Sequence, residues 1–72
     1  MIVYESDLKQ KAIEAMENCI GYLEIGKVNL AWRCYGESSA YDEMLLDEGI
    51  DLEEENAHFQ EMRDFFARRA SR

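Results

Sequence analysis

Carboxylates dominate the residue types in this chain that could do chemistry. The stretch from Asp42 to Glu55 carries eight acidic residues, which are Asp42, Glu43, Asp47, Glu48, Asp51, Glu53, Glu54 and Glu55. No Lys or Arg lies between Arg33 and Arg63. We call residues 42–55 the acidic corner. Such a cluster favours a basic partner, whereas helix capping accounts for Asp51 and Glu53–Glu55 without one.

A second pattern is Glu55-x-x-His58, whose spacing places two side chains on one helix face. Di-iron carboxylate bundles take this motif from two helices and add single Glu ligands from two others, so a symmetric dimer would supply two copies. Glu55 and His58 are therefore the candidate ligands of a minor alternative, a carboxylate metal site. Because the motif is short and frequent in acidic helices, the main expectation is no metal and no cofactor.

Other catalytic constellations have little support in the sequence. The chain has one His, no recognisable Ser/His/Asp or Cys/His context, and no Gly-rich phosphate loop. Its two cysteines, Cys19 and Cys34, form no CxxC pair, which argues against a zinc module. We therefore expect no catalytic residues and no enzyme. The absence of a signal-peptide pattern and the low cysteine count favour a cytoplasmic protein with reduced thiols.

Composition limits the partner classes. The chain has 72 residues and a formal net charge of −8, with 47% hydrophobic residues. That balance predicts one folded domain, residues 1–72, with a core small enough that a dimer could complete it. It also argues against direct binding of nucleic acid or of anionic membranes, both of which require clustered Lys and Arg. No apolar run is long enough for a membrane span.

Apolar periodicity and turn residues predict three helices at about 7–25, 28–47 and 52–69. Ser6 is the expected N-cap of the first helix, and Asp51 the expected N-cap of the third. Gly26 is expected in the left-handed conformation just past the end of the first helix, and the second helix is expected to end before Gly49. The short connections favour a small antiparallel three-helix bundle, with a dimer as an open question.

The second helix has a run of small residues from Gly36 to Ala40 that could kink it, but we expect one continuous helix. Its predicted apolar face is Leu30, Ala31, Cys34, Tyr35, Tyr41, Met44 and Leu45. Trp32 lies off this face, so it is either an interface anchor or a cover over the edge of the core. The Arg residues near the C-terminus, Arg63, Arg68, Arg69 and Arg72, either satisfy the helix dipole or contact a second acidic corner head to tail.

The functional expectation is a non-enzymatic acidic inhibitor or adaptor that occupies a basic, nucleic-acid-binding surface of a partner protein. Its predicted contact residues are Asp42, Glu43, Asp47, Glu48, Asp51, Glu53, Glu54, Trp32 and Tyr41. In size and charge the chain resembles the small acidic proteins that phages and mobile elements direct against host nucleic-acid machinery, anti-CRISPR proteins among them. The alternatives are a structural homodimer and the Glu55/His58 metal protein.

Overall fold

The computed structural model describes residues 4–70. These residues form four helices, α1 (Tyr4–Glu24), α2 (Val28–Asp47), α3 (Leu52–Glu55) and α4 (Ala57–Ala70). No strand occurs within residues 4–70, and the two long helices α1 and α2 pack closely together, so the all-α prediction is confirmed. Arg72, which was predicted to belong to a basic tail, lies outside the described residues.

The turn between α1 and α2 is a Schellman motif. Gly26 has a φ of 82°, and the Lys27 N–H donates to the Tyr22 carbonyl at 2.9 Å. These are the bonds by which a glycine past the helix end satisfies the last free carbonyls. The predicted role of Gly26 is confirmed, and the tight turn makes α1 and α2 an antiparallel hairpin.

Helix α2 also ends in a Schellman turn, and the N-cap of α3 follows it directly. Gly49 has a φ of 83°, and the Ile50 N–H donates to the Leu45 carbonyl at 2.9 Å. Asp51 then caps α3, because its Oδ1 accepts from the Glu54 N–H at 3.3 Å. Both predictions, the helix stop at Gly49 and the N-cap at Asp51, are confirmed.

Two predicted helix boundaries are wrong. Helix α1 begins at Tyr4, so Ser6 lies within its first turn and is not the N-cap. The predicted third helix is interrupted at Asn56, whose backbone is extended (φ −131°, ψ 100°). The Asn56 side chain then accepts a bond from the Phe59 N–H at 3.0 Å and caps the start of α4.

One buried cluster joins the helices. Its members are Leu8, Ala12, Met16, Cys19, Ala31, Leu45, Leu52, Phe59, Met62 and Phe66. Helix α4 runs beside α1 and antiparallel to α2, and it contributes three of these side chains as predicted. The Ser38 hydroxyl donates to the Ala12 carbonyl at 3.0 Å, which ties the middle of α2 to α1.

The predicted face of α2 is only partly right. The helix is continuous across Gly36, as expected. However, Met44 is 44% exposed, whereas the polar residues Ser38 and Asp42 are buried on the same stripe as Ala31 and Leu45. Burial of Asp42 is the largest departure from the sequence-based picture, because it removes one carboxylate from the predicted acidic surface.

Candidate functional site

Arg63 organises the interior side of the acidic corner. From α4 its guanidinium donates to Asp42 Oδ2 in α2 at 3.2 Å, and its Nε lies 3.3 Å from a carboxylate oxygen of Glu53 in α3. Its other terminal nitrogen donates to the Tyr35 hydroxyl at 3.1 Å. The guanidinium also lies over the rings of Tyr35 and Phe59, 5.2 and 5.8 Å from their centroids. One cation therefore holds three helices together.

Asp42 is a structural carboxylate and not a surface one. The residue is 7% exposed, and its Oδ1 is buried without a hydrogen-bond partner among the described residues. Burial raises the pKa of Asp42 above its usual 3.8, and the Arg63 charge opposes that rise. The expectation that Asp42 presents its carboxylate to a partner is wrong, because the carboxylate faces Arg63 inside the protein.

Other carboxylates of the corner also have partners within the chain. Glu55 pairs with Lys9 of α1 at 2.8 Å, and this bond raises the pKa of Lys9. Glu53 pairs with Arg63, and Asp51 serves as the α3 cap. These contacts, one helix cap and two ion pairs, explain why acidic residues occur at those positions.

A smaller set of carboxylates has no such explanation. Glu43, Asp47 and Glu48 are exposed, and none forms an ion pair within residues 4–70. They lie at the C-terminal end of α2, where the helix dipole disfavours negative charge, and no basic residue occupies that last turn. With the exposed Glu54 they form what we call the free acidic face, which is Glu43, Asp47, Glu48 and Glu54.

Apolar side chains interrupt the free acidic face. Met44 is 44% exposed and Leu46 is 50% exposed, although both belong to the same turns of α2 as the carboxylates. Sequence reasoning missed them, because Met44 was assigned to the core and Leu46 was not considered. The exposure of Leu46 could have been predicted from helical spacing, because Leu45 lies on the buried stripe with Ala31 and Ser38 and the next residue points away from that stripe.

The two predicted aromatic contact residues lie apart from this face. Tyr41 is half-buried between α1 and α2. Trp32 is 49% exposed but precedes Asp47 in α2 by about four turns, or roughly 22 Å along the axis. Trp32 and the acidic corner therefore occupy opposite ends of a molecule that measures 39 × 19 × 16 Å.

The geometry does not support the Glu55/His58 metal motif. Asn56 breaks the helix between the two residues, so Glu55 and His58 do not share one helix face. Glu55 contacts Lys9, and His58 Nε2 lies 3.8 Å from Glu17. Within residues 4–70 no group of three or more His, Cys, Asp or Glu side chains is placed to hold a metal ion.

Cys19 is buried and Cys34 is partly buried, and both are free thiols. Burial raises the pKa of the Cys19 thiol to about 11, and burial also raises the pKa of the Cys34 thiol. Thiols with raised pKa values are poor nucleophiles at neutral pH, because little thiolate is present.

Comparisons with protein-family models, curated proteins and solved structures give no match for this chain. Among residues 4–70, none of the helices combines the length and the apolarity that crossing a lipid bilayer requires. The arguments below therefore depend on the geometry and the charges alone.

Proposed function

We propose that the protein is a non-enzymatic binding module whose free acidic face occupies a basic surface on another protein. The observation that carries this proposal is the set Glu43, Asp47 and Glu48. These carboxylates are exposed, form no ion pair within the described residues, and lie at the helix end where they cost stability. Residues that oppose the charge preference of a helix end, and gain no structural contact in return, are candidates for function.

The chemistry of the face defines the partner class. Glu43 and Asp47 are spaced four residues apart, so their side chains form a row on the helix surface at about 5–6 Å. This pair presents two neighbouring negative charges to Lys and Arg side chains, which are also the side chains that contact a phosphate backbone. Met44 and Leu46 add apolar contact, which charge pairing alone does not provide. We therefore propose a nucleic-acid-binding partner that the protein inhibits or bridges.

This proposal revises the predicted contact set. Asp42 is excluded because it is buried against Arg63, and Trp32 is excluded because it lies at the other end of α2. Asp51 and Glu53 have structural roles, so we place them at the edge of the contact. Met44 and Leu46 take the apolar role that was assigned to Trp32 and Tyr41.

The test is capture of a partner from a lysate with the immobilised protein, followed by elution with increasing salt. The variant Asp47→Lys/Glu48→Lys should lose the captured protein. The control variant Glu37→Lys/Asp64→Lys makes the same charge change at exposed sites outside the corner and should retain it. Equal loss in both variants would reduce the proposal to an effect of net charge. Retention by both would eliminate the free acidic face as the contact.

The finer architecture is proposed on the same footing. We expect α1, α2 and the α3–α4 segment to behave as one three-helix bundle that unfolds cooperatively. The alternative, a structural homodimer that shares its core, would appear in sedimentation as twice the chain mass at micromolar concentration.

A further inference from the structure

The end of the molecule opposite the acidic corner carries an exposed apolar patch. Ile25 is 66% exposed, Val28 is 46% exposed and Trp32 is 49% exposed. Val28 and Trp32 are spaced four residues apart on one face of α2, and Ile25 lies in the turn just before it. We call these three residues the turn patch. Scattered exposed apolar residues are ordinary, but a cluster around an exposed Trp is a feature of contact surfaces.

Trp32 is held in place before any contact forms. Its ring meets Phe66 edge-on at 4.8 Å between centroids and Tyr35 edge-on at 5.7 Å. Phe66 is buried, and it stacks on Tyr35 at 4.6 Å. A large side chain that is already ordered loses little entropy when a partner covers it, so Trp32 can act as a preorganised anchor.

Three cations lie at the same end of the molecule as the turn patch, and one acidic residue, Glu24, directly precedes Ile25. Lys27 and Arg33 flank it in sequence, and Arg69 lies in the last turn of α4 at the same end, over the Phe65 ring at 5.0 Å. The first turn of α2 contains no acidic residue, and Lys27 at its N-cap makes no side-chain capping bond. The charges therefore add to the positive end of the α2 dipole instead of opposing it.

Charges at the helix ends give the molecule a polarity, which the exposed Glu24 at the C-terminal end of α1 partly offsets. Helix α1 begins with Glu5 and Asp7 at the corner end, α2 ends there with Asp47, and α4 ends at the opposite pole with Arg68 and Arg69. Each copy thus has an acidic pole with exposed Met44 and Leu46, and a cationic pole with the turn patch. The two poles match in charge, and each offers apolar side chains.

We infer that the turn patch docks the free acidic face of a second copy of this chain. The contact is heterologous, because two different surfaces meet, so it extends into short chains of molecules instead of closing as a symmetric dimer. A pole of 19 × 16 Å offers roughly 300 Å² per copy, below the roughly 800 Å² of a stable interface. The association is therefore weak, with a Kd of about 0.1–1 mM. This inference goes beyond the proposed function, since it assigns a binding role to the cationic pole.

Trp32 provides the readout, because it is the single Trp in the chain. Tryptophan emission and sedimentation are followed from about 10 µM to about 2 mM protein, a range that brackets the expected Kd. At low salt the emission should shift to shorter wavelength, acrylamide quenching should fall, and the weight-average mass should keep rising past that of a dimer. At about 0.5 M salt these changes should disappear, because the charges are screened over a few Å.

Paired variants identify the poles. Lys27→Glu/Arg33→Glu should weaken self-association by about tenfold or more, as should Asp47→Lys/Glu48→Lys, because each reversal creates like-charge contact. An equimolar mixture of the two variants should associate again. The control Lys11→Glu changes one charge outside both poles and should leave association unchanged. Constant Trp32 emission and constant mass up to about 2 mM would overturn the inference, as would a salt-insensitive dimer that survives the reversals.

The outcomes separate this inference from the proposed function. Lys27→Glu/Arg33→Glu leaves the free acidic face intact, so it should still capture a basic partner from a lysate while it fails to self-associate. If it loses the partner but continues to self-associate, the turn patch is a partner contact, and the inference about a second copy is wrong.

Discussion

Removal of the Arg63 charge should expose the cost of the buried Asp42 carboxylate. The variant Arg63→Met keeps an apolar side chain against the rings of Tyr35 and Phe59 but deletes the bonds to Asp42 and Glu53. Asp42 is 7% exposed and its Oδ1 already lacks a partner among the described residues. The variant therefore leaves both oxygens of a buried carboxylate unpaired.

The expected loss is about 3 kcal/mol, the lower end for breaking a buried ion pair by removing one partner. For a domain of this size that loss lowers Tm by about 12–24 °C. Asp42→Asn removes the charge itself and should cost only about 1 kcal/mol, because a neutral amide is less costly to bury than an unpaired carboxylate. The double variant should then be more stable than Arg63→Met alone.

The dependence on pH gives a further check. Burial raises the pKa of Asp42 above 3.8, so the native state holds this proton more tightly than the unfolded chain does. The contribution of Asp42 to stability is therefore most favourable below pH 3.8 and declines as pH rises through the folded pKa. Loss of Arg63 raises that pKa further. The deficit of Arg63→Met relative to the parent should thus be largest at neutral pH and shrink as Asp42 protonates.

Urea unfolding of the four proteins, followed by circular dichroism at pH 7 and at mildly acid pH, measures these differences. The reasoning is refuted if Arg63→Met costs no more than Asp42→Asn, or if the two changes are additive within about 0.5 kcal/mol. A deficit that does not change with pH would mean that Arg63 stabilises the fold by packing on the aromatic rings and not by neutralising Asp42.

Three further predictions concern stability and are measured by the same urea titrations. Gly36→Ala should raise stability by about 0.5–1 kcal/mol, because Gly36 is inside a helix with no atom near a new Cβ. Gly49→Ala should lower stability by about 1–2 kcal/mol, because φ is +83° at this position. Equal effects of the two substitutions would contradict this account. Asn56→Ala should cost about 1 kcal/mol through loss of the cap on the Phe59 N–H, and no loss would mean that the α3–α4 break does not need the cap. Ser38→Ala should cost about 1 kcal/mol by removing the bond that joins α2 to the Ala12 carbonyl, which keeps its intrahelical bond within α1, and an unchanged midpoint would show that this bond between the helices does not stabilise the fold.

Local signals with a clear mechanism predicted most of the helical framework. Gly26 and Gly49 both have the positive φ that a Schellman turn needs, and Asp51 caps as its position before three Glu residues indicates. The apolar stripe of α4, with Phe59 and Phe66, was readable for the same reason. In the turns and the cap the deciding hydrogen bond joins residues three to five positions apart, and in α4 the apolar residues follow the helical period, so sequence spacing determines both.

The errors come from interactions that span helices. Asp42 falls on the buried stripe of α2, but sequence reasoning places a carboxylate on the surface unless its partner is known. The partner, Arg63, lies in another helix, so spacing within α2 could not reveal it. Arg63 itself lies between Phe59 and Phe66 on the inner side of α4, which is the one signal that could have indicated a buried pair. Asn56 ends α3, and its side chain caps the start of α4. The apolar residues keep one helical period from 52 to 66, and this continuous pattern concealed the break.

The free acidic face leads to a last prediction, in which stability and binding change in opposite directions. In the last turn of α4 the Arg charges compensate the negative end of the helix dipole, whereas at the end of α2 the carboxylates of Asp47 and Glu48 add to it. Within residues 4–70 neither carboxylate makes a side-chain capping bond or an ion pair. If these carboxylates are present for a partner, Asp47→Lys/Glu48→Lys should stabilise the isolated protein by about 1 kcal/mol, or about 4–8 °C in Tm, while it abolishes capture of the basic partner. Thermal unfolding at low salt measures the first effect, and the lysate assay measures the second. A variant that is less stable than the parent would show that Asp47 and Glu48 stabilise the fold, and the argument from the reversed dipole would fail.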